Sequence, residues 1–319
     1  MTQNGYTQVA KNVIVEHFTN TRCSICASSS KNPAFYTNLE GYPDALHVSY
    51  HPSSPYSTCL FSQHNPSEND GRAKYYGVFG GTPRLVVQGV LNPISVQFGS
   101  PEVFTPHIDQ MTEVSIDIIQ TKTADDKIEA TITLKTESEH NYSGTSILVG
   151  LAEKVVNYQA PNGEDVHYDV FRKALTDVDG DEVTLPAIGE SVSFTYSVNK
   201  EEEWDMSEMF VYVILNDSQT KTVVQSHAAS QSENRVGSPA SQSLRNVTVY
   251  PNPAQNFLSI DLEGGKTASV SLTDVTGSVQ SRSEFHGKAT INISNLLPGI
   301  YLLKIESVDG SYSQKIIIK

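Results

Sequence analysis

Residues 13–26 read Val13-Ile14-Val15-Glu16-His17-Phe18-Thr19-Asn20-Thr21-Arg22-Cys23-Ser24-Ile25-Cys26. An apolar, β-branched run passes through a short polar stretch into two cysteines separated by two residues. The run predicts a buried strand. The spacing of the cysteines keeps both sulfurs within disulfide reach. Residues 27–39 predict a helix, although Ser28, Ser29, Ser30 and Pro33 are weak helix formers. A helix N-terminus just after Cys23 would offer free N–H groups and a positive dipole end, both of which favour a thiolate. Further along, Gly81-Thr82-Pro83 precedes a predicted strand at Leu85-Val86-Val87. Proline is the residue for which a cis bond is cheap, about 0.5–1 kcal/mol.

The residues alone leave three readings of the cysteine pair open. It is a redox pair, with Cys23 attacking, Cys26 resolving and Pro83 shaping the site. It is a structural disulfide in a scaffold without activity. Or it is half of a zinc site, completed by Cys59 and one of His17, His47, His51 or His64. No second Cys-x-x-Cys supports the last. Set without gaps against thioredoxins, the chain places His17, with Glu16 beside it, six residues before the first cysteine. That position holds a buried acid in those proteins. Either residue is a candidate to take the proton of Cys26 during exchange.

The chain has 319 residues, enough for two or three domains. Its 22 Lys and Arg against 36 Asp and Glu give a formal charge of −14, which argues against nucleic acid as a partner. No apolar run approaches the roughly 20 residues of a membrane-spanning helix. Three cysteines are too few for a disulfide-stapled scaffold. The start, Met1-Thr2-Gln3-Asn4-Gly5, has neither the basic nor the apolar region of a signal peptide. No nucleotide fingerprint, Walker loop or nucleophile elbow is present, so no cofactor is expected. The acidic stretch 177–182 lacks the spacing of an EF-hand and reads as a solvated turn, so no metal is expected either.

Residues 113–228 change character. Ile128, Ala130, Ile132 and Leu134 alternate with Glu129, Thr131 and Thr133, and Val192, Phe194, Tyr196 and Val198 repeat the pattern. Period-2 alternation with turn-rich gaps predicts a middle β-sandwich. Residues 229–243 are small and polar and read as a flexible linker. Residues 244–319 hold seven predicted short strands, which suit a small Ig-like β-sandwich. Trp204, Tyr196 and Tyr212 are core residues in the simplest reading, with an aromatic sugar platform as the alternative.

Two resemblances add to this. Val15-Glu16-His17-Phe18-Thr19, Cys23-x-x-Cys26, Tyr50-His51, the run from Tyr75-Tyr76-Gly77 to Gly81-Thr82-Pro83, and Asn162-Gly163-Glu164-Asp165-Val166-His167-Tyr168-Asp169-Val170-Phe171-Arg172 are similar to the Omp28-related family of Bacteroidetes surface proteins. Ala27 stands where that family usually has proline. The resemblance covers about residues 9–228 and implies an α/β thioredoxin-like domain over 1–112 joined to a β-sandwich over 113–228.

The C-terminal block resembles the type A sorting domain of the type IX secretion system. The matching segments are Val249-Tyr250-Pro251-Asn252-Pro253, Leu272-Thr273-Asp274-Val275-Thr276-Gly277, Leu297-Pro298-Gly299-Ile300-Tyr301 and the terminal Lys315-Ile316-Ile317-Ile318-Lys319. This implies export through the type IX machinery by residues 244–319, and a secreted or cell-surface location after periplasmic transit. It also implies an oxidising setting in which Cys23 and Cys26 are joined at rest. The expected function is thiol–disulfide exchange on a disulfide-containing protein. The alternative is a non-catalytic surface interaction protein with a structural Cys23–Cys26 bridge and a surface ligand.

Overall fold

The computed structural model describes residues 7–123, 126–229, 247–262, 267–274, 279–307 and 310–319. The chain divides into two units, residues 1–237 and 238–319. The expected linker lies outside the described residues from residue 230 onward.

The first unit begins with β1 (Val9–Ala10), β2 (Ile14–Phe18), α1 (Asn32–Leu39), β3 (Leu46–Tyr50), α2 (Leu60–His64), α3 (Pro66–Tyr75), β4 (Arg84–Val87), β5 (Val90–Leu91) and β6 (Met111–Thr112). It continues with β7 (Val114–Lys122), β8 (Lys127–Thr136), β9 (Thr145–Asn157), β10 (Val166–Ala174), β11 (Asp181–Val183), β12 (Ser191–Asn199), β13 (Met209–Asp217) and β14 (Val223–Ala228). Nine strands form one sheet in the order β14-β13-β9-β10-β3-β2-β4-β5, with β11 added beside β9.

The α/β thioredoxin-like domain expected over 1–112 is not what the chain builds. The protein is mostly β, 48 % strand and 9 % helix, with several sheets. The physical reason is an open strand edge. One side of β3 pairs in parallel with β2, and its other side accepts β10, also in parallel, at Val170↔Ser49. A buried strand edge must have its N–H and C=O groups paired. Here the partner comes from the middle of the chain. Strands from both sides of residue 112 therefore share one sheet, and most of its pairings are antiparallel.

The middle block is correspondingly not free-standing. The three-stranded sheet β12-β8-β7 covers one face of β9 and β13. Ile128, Ala130, Ile132 and Leu134 of β8 pack there with Ile147, Val149 and Leu151 of β9 and with Met209, Val211, Val213 and Leu215 of β13. The alternate residues Phe210, Tyr212 and Ile214 face the other way, toward Ile14, Phe18, Val48 and Tyr50. Burial on both faces explains why β9 and β13 read as continuous apolar runs rather than alternating ones.

The second unit is a seven-stranded sheet of β15 (Val247–Tyr250), β16 (Phe257–Leu262), β17 (Thr267–Asp274), β18 (Val279–His286), β19 (Lys288–Asn292), β20 (Gly299–Ser307) and β21 (Gly310–Ile318). Leu258, Ile260, Val270, Leu272, Leu303, Ile305 and Ile316 alternate into its core. The Pro251-Asn252-Pro253 segment ends β15 and delivers Ala254 to the last strand. There the Ala254 N–H donates to the Ile317 carbonyl at 2.8 Å, and the Ile317 N–H donates to Asn252 Oδ1 at 2.9 Å.

Gly150 in β9 lies beneath the buried ring of Tyr212, whose hydroxyl hydrogen-bonds that of Tyr50 at 2.7 Å. A Cβ at residue 150 would overlap Tyr212 Cζ and Oη, and that ring has no room to retreat. Gly150→Ala should destabilise the first unit by about 1–3 kcal/mol, as overpacked cores do. Urea denaturation measures this, and wild-type stability in the variant would contradict the packing described.

Candidate functional site

Strand β2 ends at Phe18, and the Thr19 N–H still donates to the Tyr50 carbonyl of β3 at 2.9 Å. Beyond it the chain folds into successive tight turns. The Cys23 N–H donates to the Asn20 carbonyl at 3.0 Å, the Cys26 N–H to the Cys23 carbonyl at 3.1 Å, and the Asn32 N–H to the Cys26 carbonyl at 3.0 Å. The helix expected from residue 27 begins only at Asn32, with proline in its first turn. The serines at 28–30 form turns instead, so the cysteines sit ahead of the helix rather than at its N-terminus. The dipole argument for a thiolate therefore lapses.

Cys23 and Cys26 form a disulfide. Both are buried, beneath the exposed Ile25 between them. Cys23 Sγ lies 3.7 Å from the Thr82 carbonyl oxygen and accepts the Cys26 N–H at 3.1 Å. Thr82–Pro83 is a cis peptide, and Pro83 is buried at the start of β4. Cys23, Cys26 and the Thr82–Pro83 edge are thus brought together.

Glu16 and His17 are separated by the pleat of β2. Glu16 faces α3, where Arg72 Nε and a second guanidinium nitrogen donate to its two oxygens at 2.6 and 2.8 Å and Tyr76 Oη donates at 2.7 Å. Three donors engage both of its oxygens there, away from the α1 face on which His17 lies. His17 is fully buried against Phe35, Tyr36, His47 and Phe98, with ring centroids 5.0, 6.1, 5.6 and 6.0 Å away. Neither of its ring nitrogens has a partner at ordinary hydrogen-bond distance, although the Asn32 side chain interacts with the ring. Burial, and then the neighbouring His47, hold its pKa well below the ordinary imidazole range, while Asn32 opposes them.

Cys59 is buried and unbridged, and Thr21 Oγ1 donates to its sulfur at 3.1 Å. Trp204 and Tyr212 are core residues. The acidic stretch forms a turn in which the Gly180 N–H donates to the Asp177 carbonyl at 2.9 Å.

Further residues gather at the site, among them Asn162, Glu164 and Asp169 of the 162–172 segment that carries part of the family resemblance. The tip of the β9–β10 hairpin reaches over the cysteine loop. The Asn162 N–H donates to the Thr21 carbonyl at 3.1 Å, and Asn162 Nδ2 lies 3.3 Å from the carbonyls of both Asn20 and Cys23. Asn32 Nδ2 donates to Thr19 Oγ1 and to Glu164 Oε1, each at 2.8 Å. His47 Nδ1 meets Asp169 Oδ2 at 2.8 Å, and Lys154 donates to the other oxygen of Asp169 at 2.6 Å. The alternation of Ala45–Tyr50 does put His47 on the same face as Ser49 and His51. The partnership with Asp169 depends on a pairing across 122 residues.

A mostly β scaffold with a buried Cys23–Cys26 disulfide and a C-terminal sorting domain defines the class, a surface or secreted protein delivered by the type IX route. Residues 69–235 match the family described as Outer membrane protein Omp28, and the chain belongs to that family. Residues 248–319 match the secretion system C-terminal sorting domain. HBP35 of Porphyromonas gingivalis shares the fold, with a TM-score of 0.60 at 17 % identity over 97 % of this chain and 99 % of that one. An endo-acting ulvan lyase of Formosa agariphila is 35 % identical over 77 residues, 23 % of this chain, and the chain spans 15 % of that relative's length. The protein is secreted or sits at the outer-membrane surface, and its sorting domain engages the secretion machinery. Among the described residues no helix is long and apolar enough to cross a membrane.

Two measurements follow. His17 and His51 are both held well below the ordinary histidine pKa by burial, so the unfolded chain binds protons that the folded chain refuses. Stability of the first unit should therefore be full above about pH 6.5 and fall as pH drops below it, by about 1.4 kcal/mol per pH unit for each such histidine. His17→Gln should remove one histidine's share of that slope in denaturant titrations at several pH values. An unchanged slope would contradict the depressed pKa. Deleting residues 244–319 should leave a folded first unit that accumulates in the periplasm, as cell fractionation would report. Surface display of the truncated chain would contradict the sorting role.

Proposed function

We propose that the Cys23–Cys26 pair carries out thiol–disulfide exchange on disulfide-containing proteins outside the cell. The observation that carries this is the placement of the Cys23 sulfur, 3.7 Å from the Thr82 carbonyl beside Pro83 and hydrogen-bonded by the Cys26 N–H. A hydrogen bond donated to sulfur favours its charged form. Ile25 and Phe79 supply exposed apolar side chains on the cysteine loop and on the segment leading to Pro83.

In the reduced protein the Cys23 thiolate attacks a substrate sulfur. A mixed disulfide forms and the substrate's other sulfur leaves as a thiolate. Cys26, once deprotonated, attacks Cys23 Sγ, releases the second substrate thiolate and restores the Cys23–Cys26 bond. Substrate is reduced by two electrons and the pair oxidised by two, so a dithiol donor must renew it.

A second reading is favoured by burial. Cys23 is 1 % exposed and Cys26 0 %, as a structural bridge would be. The surface protein would then present a ligand-binding face and the disulfide would only brace its loop.

Equilibration with glutathione buffers and reduction of insulin by the dithiothreitol-recycled protein separate the two. Exchange predicts a potential above about −300 mV. It also predicts turnover that Cys23→Ser abolishes, and a mixed disulfide trapped by Cys26→Ser. A potential below that value, with no turnover, would establish the structural bridge instead.

A further inference from the structure

We infer that the tip of the β9–β10 hairpin, residues 158–165, is a restraint on the disulfide. Asn162 and Glu164 hold the cysteine loop closed and so set how fast a reductant or a substrate reaches the Cys23–Cys26 bond. Its role as a regulator of exchange rests on the reading above.

The hairpin leaves the sheet at Asn157 and re-enters it at Val166. Between them the chain ties itself into a turn. The Tyr158 N–H donates to the Asp165 carbonyl at 3.0 Å, the Ala160 N–H to the Glu164 carbonyl at 2.8 Å and the Gly163 N–H to the Ala160 carbonyl at 3.0 Å. Gly163 has a φ of +97° with nothing within 4 Å of a Cβ built there, so its glycine serves the turn and not a close contact. Pro161, Gly163 and Asp165 are exposed. The tip is a surface element that keeps its own shape.

Asn162 and Glu164 fasten it to the loop. The Asn162 N–H donates to the Thr21 carbonyl at 3.1 Å, and Nδ2 lies 3.3 Å from the carbonyls of Asn20 and Cys23. Glu164 fixes that amide: Oε2 accepts Asn162 Nδ2 at 2.6 Å, and the Glu164 N–H donates to Asn162 Oδ1 at 3.1 Å. Oε1 of Glu164 accepts Asn32 Nδ2 at 2.8 Å, and the Asn32 N–H donates to the Cys26 carbonyl at 3.0 Å. One carboxylate thus connects the carbonyl of Cys23 to that of Cys26 through two asparagines. Hydrogen bonds to an ionised acceptor are roughly twice as strong as neutral ones.

Held in this way, Cys23 is 1 % exposed and Cys26 0 %, whereas Ile25 between them is 60 % exposed. A reagent meets Ile25 before it meets sulfur. The rate of attack on a disulfide depends on access to its sulfurs. It is therefore the reagent's own reactivity multiplied by the fraction of molecules whose loop is open. The hairpin tip lowers that fraction.

The oxidised full-length protein is treated with tris(2-carboxyethyl)phosphine, and the freed thiols are alkylated and quantified peptide by peptide by mass spectrometry. The phosphine is oxidised to its oxide with oxygen from water, and the bond yields two thiols. Asn162→Ala and Glu164→Ala should each speed reduction of the bond by about threefold to tenfold, the weight of one or two ordinary hydrogen bonds. Asp165→Asn, an exposed change on the same tip, should leave the rate at the wild-type value. Hydrogen exchange at the amides of Cys23 and Cys26 should quicken in Asn162→Ala and Glu164→Ala and stay unchanged in β13, the mark of a local opening. Wild-type reduction rates in both variants, or faster exchange that extends into β13, would overturn the restraint. Insulin turnover should rise with the reduction rate. Faster reduction in both variants with no insulin turnover in them or in the wild type would keep the restraint and overturn the exchange reading.

Discussion

The parallel contact of β10 with β3 is the seam on which the first unit depends. It rests on one register pair, Val170↔Ser49, and on side chains that reinforce it. Ser49 Oγ donates to the Tyr168 carbonyl at 2.9 Å, and His47 meets Asp169 at 2.8 Å. This short seam joins strands up to residue 91 to strands from residue 145 onward. Once β10 is docked, the β9–β10 hairpin has only one place for its tip, above the turns that carry Cys23 and Cys26. Asn162 and Glu164 are thereby delivered to the cysteine loop. The same docking brings Asp169 behind His47. The geometry around the disulfide is thus a consequence of long-range strand pairing rather than of the local Cys-x-x-Cys sequence.

The opposite face of β2 is fixed by different chemistry. Arg72 is fully buried and places its donors on both Glu16 oxygens, on the Val178 carbonyl at 2.8 Å and on Tyr76 Oη at 3.0 Å. Taking two ions out of water costs several kcal/mol each, so the pair contributes little net stability. What it contributes is specificity. An Arg without its Glu, or the reverse, would leave an unpaired buried charge, worth about 3–5 kcal/mol. Helix α3 is therefore held over β2 in one register. The strand pleat sends the two neighbours to opposite faces, Glu16 to its ion pair under α3 and His17 to the aromatic cluster on the α1 side.

Local patterns were legible in the sequence and long-range pairings were not. The alternation at 128–134 and 192–198 marks β8 and β12, and the apolar stretch 210–215 marks most of β13. The seven short strands expected after residue 244 fall on β15 to β21 within a few residues. Cys23, Cys26 and Thr82–Pro83 do meet. The sequence failed where a strand's partner lies far away. Nothing within residues 1–112 says that β3 will accept Val166–Ala174, so a self-contained α/β domain was the natural reading. The start of α1 was misplaced by a weaker signal. Residues 28–30 favour turns and Pro33 favours the first turn of a helix, and together they set the boundary at Asn32. Asn162 and Asp169 lie in the 162–172 segment that carries part of the family resemblance, whereas Lys154 carries no motif, and none of the three shows its partners locally. They become visible only when the hairpin is docked.

Burial of the disulfide and access to it are reconciled by the way the loop is held. Its internal bonds run from Cys23 to Asn20, from Cys26 to Cys23 and from Ser28 to Ile25, all between residues that would move together. Contacts from outside are mainly polar. Asn162 donates to the Thr21 carbonyl and approaches those of Asn20 and Cys23, Asn20 Nδ2 lies 3.0 and 3.3 Å from the carbonyls of Pro52 and Tyr56, the Asn32 N–H donates to the Cys26 carbonyl, and Arg22 Nε donates to the Thr58 carbonyl at 2.9 Å. Exposing the sulfurs requires these to break, a local opening that costs less than global unfolding. On the exchange reading, an incoming thiol therefore meets a disulfide closed at rest and reached by a local opening. The histidines beneath remain fixed, because they belong to β2 and β3 rather than to the loop.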